Sequence, residues 1–122
     1  MAKFIDTVTL HDVNVNGTIF KIRRMDRRTW NNFLIAIGVT FPFLKSSKEE
    51  IESGEKKIDS HVISKNEWND LMEPICQSVD SIDGRDKDKV VEDINNLELE
   101  DIVLLVVELL KLNTLNEVEQ KN

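Results

Sequence analysis

The residues of this chain with chemistry to offer are two histidines, one cysteine and a few clusters of charge. His11 and His61 stand fifty positions apart, and neither has a Cys or another His at metal-ligand spacing. Two surface histidines are the plainer expectation. Cys76 follows Ile75 in an apolar-periodic stretch, where a free cysteine usually serves as a small hydrophobe. A nucleophilic thiolate would need a base and electropositive surroundings, and its neighbours are acidic. Being single, Cys76 forms no internal disulfide, which fits a reducing compartment.

The stretch Asp80–Asp88 superficially suggests a calcium loop. With Gly84 at the sixth position of an EF-hand, Val79 falls at the first and Val90 at the twelfth, where acids are required. The motif fails, and a solvated connection explains it better. Glu98, Glu100 and Asp101 crowd the start of a helix, where the dipole and free N–H groups favour negative charge. No glycine-rich phosphate loop or nucleophile elbow occurs among only four glycines. We therefore expect no enzyme, no metal and no cofactor.

The basic cluster Lys21, Arg23, Arg24, Arg27 and Arg28 places five cations in eight residues. Such a cluster can meet nucleic acid or an acidic partner. No aromatic platform or recognition helix accompanies it, so pairing with the chain's own acids is the better explanation. Charge is unevenly spread. Residues 1–30 hold six Lys and Arg against three Asp and Glu, whereas residues 31–122 hold ten against twenty. A surface so acidic argues against wrapping a nucleic acid.

The elements that would position these residues follow from patterning. The chain is 122 residues long and 40% hydrophobic, enough for one domain with one core. Its fold class is predicted as α+β, mainly α: an N-terminal β-hairpin over 1–25 and a helical domain over 26–113 with four helices. A polar tail over 114–122 follows. Val13 and Val15 lead into Asn16-Gly17, and Thr18 to Arg23 lead out, a hairpin signal because a type I′ turn needs positive φ at both central residues. An isolated hairpin is marginal in water, so it must dock on helices or pair with another strand.

Helix one is predicted over Arg27–Ile37, with Asp26 as N-cap, Met25 and Trp30 as a hydrophobic staple and Gly38 as the stop. Residues 45–60 are charged, with isolated Ile51 and Ile58, and read as a mobile loop. Helix two opens on the capping box Ser64-Lys65-Asn66-Glu67. Trp68, Leu71, Met72, Ile75, Val79 and Ile82 keep helical spacing, predicting a helix kinked at Pro74 and running to about Ile82. Met25–Leu34 aligns without gaps on Ile63–Met72, which convergence on a stapled helix start explains better than duplication. A short third helix within Asp86–Asn95 precedes the last, about Glu98–Leu112. In that helix Asp101–Leu112 carries nine apolar residues among twelve. It reads first as the spine of the core, and its end near Leu109 and Leu112 as the place for an uncovered surface. The longest apolar runs, Phe33–Ile37 and Ile102–Val107, are far short of the ~20 residues that span a bilayer. A soluble cytoplasmic protein is expected.

The hairpin Val13-Asn14-Val15-Asn16-Gly17-Thr18-Ile19-Phe20-Lys21-Ile22-Arg23, followed by Met25-Asp26-Arg27-Arg28-Thr29-Trp30 opening a helix, resembles the N-terminal part of small tail assembly chaperones of long-tailed bacteriophages. The ending is similar too: Leu97-Glu98-Leu99-Glu100-Asp101-Ile102, an apolar helix, then Leu112-Asn113. About half the chain is covered, and residues 45–60 have no counterpart. The resemblance implies a non-catalytic protein of the host cell cytoplasm that binds the tape measure protein and keeps it soluble during tail assembly. Candidate contacts are Ile102, Leu105, Leu109 and Leu112 on the last helix, with Trp30, Phe41 and Phe43; for each, a place in the core is equally open. Two other readings stand beside it: a virion tail or baseplate adaptor, and an acidic inhibitor of a host protein. A homo-oligomer formed through the last helix or the hairpin edge is expected when no partner is present.

Overall fold

A computed structural model describes residues 3–41 and 64–121, with side chains for 3–41 and 64–114. The predicted loop over 45–60, Phe43 and His61 lie outside the described residues. Strands β1 (His11–Val15) and β2 (Thr18–Ile22) form the expected hairpin, pairing Val15 with Thr18 and Val13 with Phe20. Asn16 and Gly17 have φ of 51° and 95°, the left-handed pair a type I′ turn demands. The Asn14 side-chain oxygen accepts from the Gly17 N–H at 2.7 Å and fixes the turn. Val15, Phe20 and Ile22 point inward and are buried, while Asp12, Asn14 and Lys21 face solvent.

Helix α1 spans Arg27–Thr40 and α2 spans Lys65–Ser78. Both caps form as expected: Asp26 accepts from the Thr29 N–H and Ser64 from the Glu67 N–H. Two boundaries move. Gly38 does not stop α1, because Thr40, beyond the predicted end at Ile37, is buried and its hydroxyl donates to the Ala36 carbonyl. The helix predicted to reach Ile82 ends instead at Ser78, and Val79–Ile82 is a strand, β3.

That strand answers the hairpin's need for a partner. The sheet order is β1-β2-β3, all antiparallel, with Phe20 opposite Ile82 and Ile22 opposite Val79 across a bulge. Spacing of three between Val79 and Ile82 fits a helix, but β2 offers a row of unpaired backbone groups that only a strand can satisfy. The Arg23 N–H donates to the Ser78 carbonyl at 2.8 Å and the Asp83 N–H to the Ile19 carbonyl at 2.7 Å, clamping both ends.

A 3₁₀ turn (Lys87–Lys89) leads to the short α3 (Val90–Asn95) and then to α4 (Leu99–Lys121). The predicted tail is therefore helical through Lys121. α4 is the spine: Ile102, Val103, Leu105, Val106 and Leu109 are all buried. It is tied to the N-terminal segment at two levels. Asn16 donates to Asp101 at 3.4 Å, and buried Asn113 accepts from the Met25 N–H at 2.9 Å while donating to the Leu109 carbonyl. Around the spine, Phe20, Phe33, Phe41, Leu71, Ile75 and Ile94 complete one core joining sheet and helices.

Candidate docking surface

Of the residues that could do chemistry, His11 and Cys76 are described and lie on different elements. His11 lies on β1, half-buried on the inward face. Cys76 is half-buried on α2, and burial pushes its thiol above the usual range, so the reactive thiolate is disfavoured. Asp80 pairs with Arg23, Asp93 with Arg85, and Asp83 accepts from the Ile19 N–H. Asp83 and Gly84 (φ 51° and 75°) make a tight turn rather than a calcium loop. Among the described residues no cluster of three or more His, Cys, Asp or Glu is placed to hold a metal ion. No described helix is long and apolar enough to cross a membrane.

The basic cluster is dispersed by the strand geometry. Lys21 meets Asp12 across the hairpin at 3.3 Å, Arg23 turns to Asp80, and Arg24 is buried with its Nε lacking a hydrogen-bond partner. Arg27 and Arg28 are exposed at the start of α1, and Lys21 is exposed but paired with Asp12. Among the described residues these five cations form no continuous basic footprint.

The candidate contact residues are corrected in the same way. Ile102, Leu105, Leu109 and Phe41 are buried because the core around α4 consumes them, so they present nothing to a partner. Trp30 is half-buried against the core and stacks obliquely on Phe33 with centroids 6.0 Å apart. Leu112 is half-buried on the core margin. Over its described side chains the apolar surface expected near Leu109 and Leu112 is thus partly closed, while Leu104 on the same helix is 39% exposed.

An aliphatic surface opens elsewhere. On α1, Ile35 is 68% and Val39 is 53% exposed. Arg28, Asn32, Ile35 and Val39 recur at helical spacing along one line of α1, beside the stripe that buries Phe33, Ile37 and Thr40. Facing them on α2 are Glu67, Asp70, Glu73 and Gln77. Between the helices runs a groove of about 710 Å³, floored by Ala36 and Pro74. At one end the Thr29 hydroxyl lies 3.3 Å from the Gln77 side-chain oxygen, bringing the start of α1 to the end of α2, so the helices run antiparallel.

Charge along the groove is one-sided. Asp26, Glu67, Asp70 and Glu73 line it against the single cation Arg28. Glu67, Asp70 and Glu73 join no ion pair among the described residues. The Asp26 carboxyl is held below its ordinary range by the backbone N–H and then the hydroxyl of Thr29. In the sequence Ile35 and Val39 are simply apolar positions, and which of them lie open follows from the buried stripe of Phe33, Ile37 and Thr40. Set against family models, curated proteins and solved structures, the chain matches none of them.

Proposed function

We propose that this chain is a non-catalytic tail assembly chaperone of a long-tailed bacteriophage, binding the tape measure protein in the host cytoplasm and keeping it soluble while the tail is built. The observation that carries this reading is the exposed pair Ile35 and Val39 on an otherwise acidic molecule. A long, chiefly helical client needs temporary cover for apolar stripes, and a mainly polar groove with an exposed aliphatic row on its α1 wall supplies it in the helix-in-groove mode. The net charge of -7 keeps such a complex dispersed. The likeness of the hairpin and first helix to that family supports the same reading.

One feature favours a second role. β1 is an edge of the sheet, where another chain can add a strand, as a permanent tail or baseplate adaptor would use it. Coexpression separates the two. As a chaperone, the chain raises the soluble fraction of the phage's own tape measure protein and is missing from purified virions by mass spectrometry. Its presence in virions at fixed stoichiometry would sink the chaperone reading and favour the adaptor.

A further inference from the structure

We propose that the groove between α1 and α2 docks an amphipathic helix whose apolar stripe is flanked by lysine or arginine. It rests on the chaperone reading for the source of that helix, though not for its chemistry.

Shape comes first. Two antiparallel helices present a trough, and a third helix seats its side-chain ridge in such a trough. Ile35 and Val39, one turn apart along α1, set a row about 6 Å long that matches positions i and i+4 of an incoming helix. Left in water, these two side chains gain by being covered. Among the described residues no side chain lining the groove holds a buried polar atom without a partner.

Charge then selects the helix. Glu67, Asp70 and Glu73 stand along the α2 wall with no internal partner among the described residues. An incoming helix with acidic flanks meets repulsion on that wall. One with lysines lays their aliphatic stems over the groove margin and brings the ammonium groups to the carboxylates. Discrimination by sign follows, and it weakens as salt shortens the reach of the field.

The test uses the full chain and two labelled synthetic helices of roughly 20 residues, long enough to hold helical structure. They share a leucine stripe and differ only in lysine or glutamate flanks. Fluorescence anisotropy is expected to show the lysine helix binding roughly tenfold or more tighter than the glutamate helix, with the gap narrowing at high salt. Ile35→Gln with Val39→Gln weakens the lysine helix by a similar factor, whereas Val91→Gln, at an exposed aliphatic site outside the groove, leaves it unchanged. Glu67→Lys with Asp70→Lys and Glu73→Lys reverses the preference. Circular dichroism confirms that each variant folds.

Equal binding of the two helices, or a double-glutamine variant that binds like the parent, overturns the proposal. So does a dimer of the chain that the double-glutamine change dissolves, which would make a second copy the occupant. Tape measure rescue is scored separately. Rescue without peptide binding rejects the groove and keeps the chaperone; peptide binding without rescue keeps the groove and rejects the chaperone.

Discussion

The first and last helices are both rich in aliphatic side chains, and they put them to opposite uses. Of the nine apolar residues between Asp101 and Leu112 on α4, five are fully enclosed by the sheet and the other helices. Of the seven apolar residues on α1, only Phe33, Ala36 and Ile37 are buried, while Leu34, Ile35 and Val39 remain in solvent. Over its described side chains the more hydrophobic helix therefore exposes fewer of its apolar residues. What leaves a face open is its position relative to neighbours, since a helix surrounded on most sides spends its apolar groups internally.

Stability measurements should separate these two helices widely. Leu105→Ala removes a fully buried side chain and is expected to cost about 2–5 kcal/mol. Ile35→Ala, at a mostly exposed site, is expected to cost about 0.5 kcal/mol or less. Urea denaturation monitored by circular dichroism reads both. Similar losses at the two positions would mean that the groove face is covered in solution.

A smaller effect probes how α4 is anchored. Asn113 supplies the acceptor for the buried Met25 N–H and a donor to the Leu109 carbonyl. Asn113→Leu keeps the side-chain branching but orphans that N–H, with an expected loss of about 1–3 kcal/mol. Hydrogen exchange at Met25 should quicken along with it. Unchanged protection there would place the anchor elsewhere.

These anchors mark the border of what patterning could reveal. The hairpin turn and both N-caps were legible because the chemistry is local: Asn16-Gly17 permits positive φ, and Asp26 and Ser64 cap within three residues. Strand β3 was not, because its pairing partner β2 lies some sixty residues earlier and Val79 and Ile82 satisfy either period. One clue was available. Asp83-Gly84 carries the same turn signature as Asn16-Gly17, and both Asn16 and Asp83 adopt φ of 51°. The helical continuation past Asn113 was hidden for a related reason. A polar residue that looks like a terminus from its neighbours becomes a tie when Met25 presents a buried N–H to it. On the site, the aromatics and the last helix drew the candidate list because large apolar residues dominate any such list, yet most of them fill the core. Ile35 and Val39 could be recognised only once the buried stripe of α1 was known.

At the start of the open helix the expected effect is smaller again. Asp26→Ala removes the N-cap of α1 and is expected to cost about 1 kcal/mol, while Asp26→Asn keeps an acceptor and costs less. The pH dependence has a definite sign. Because the folded carboxyl lies below its ordinary value of 3.8, the cap's contribution is present above that value and fades as pH falls through the lower, folded one. Asp26→Ala should therefore lose stability relative to the parent near neutrality, and the gap should close in acid.

The slightest change belongs to the segment before the sheet, where Asp6 accepts from the N–H groups of Val8 and Thr9 and from the Thr9 hydroxyl. Those bonds, the Thr9 hydroxyl foremost, hold its carboxyl down at about 2 although the residue is fully exposed. The turn should survive well below pH 4 and open only as pH falls towards that value, with the Val8 and Thr9 amide resonances moving together while the core resonances stay fixed. If Asp6 instead titrates near 3.8, the turn is not held in solution. If the core moves with it, the N-terminal segment is coupled to the fold more tightly than its exposed Phe4 and Val8 indicate. In the first event the contrast with α1 sharpens, since exposed apolar residues on a loosely held segment lack the rigid backing that α1 gives Ile35 and Val39.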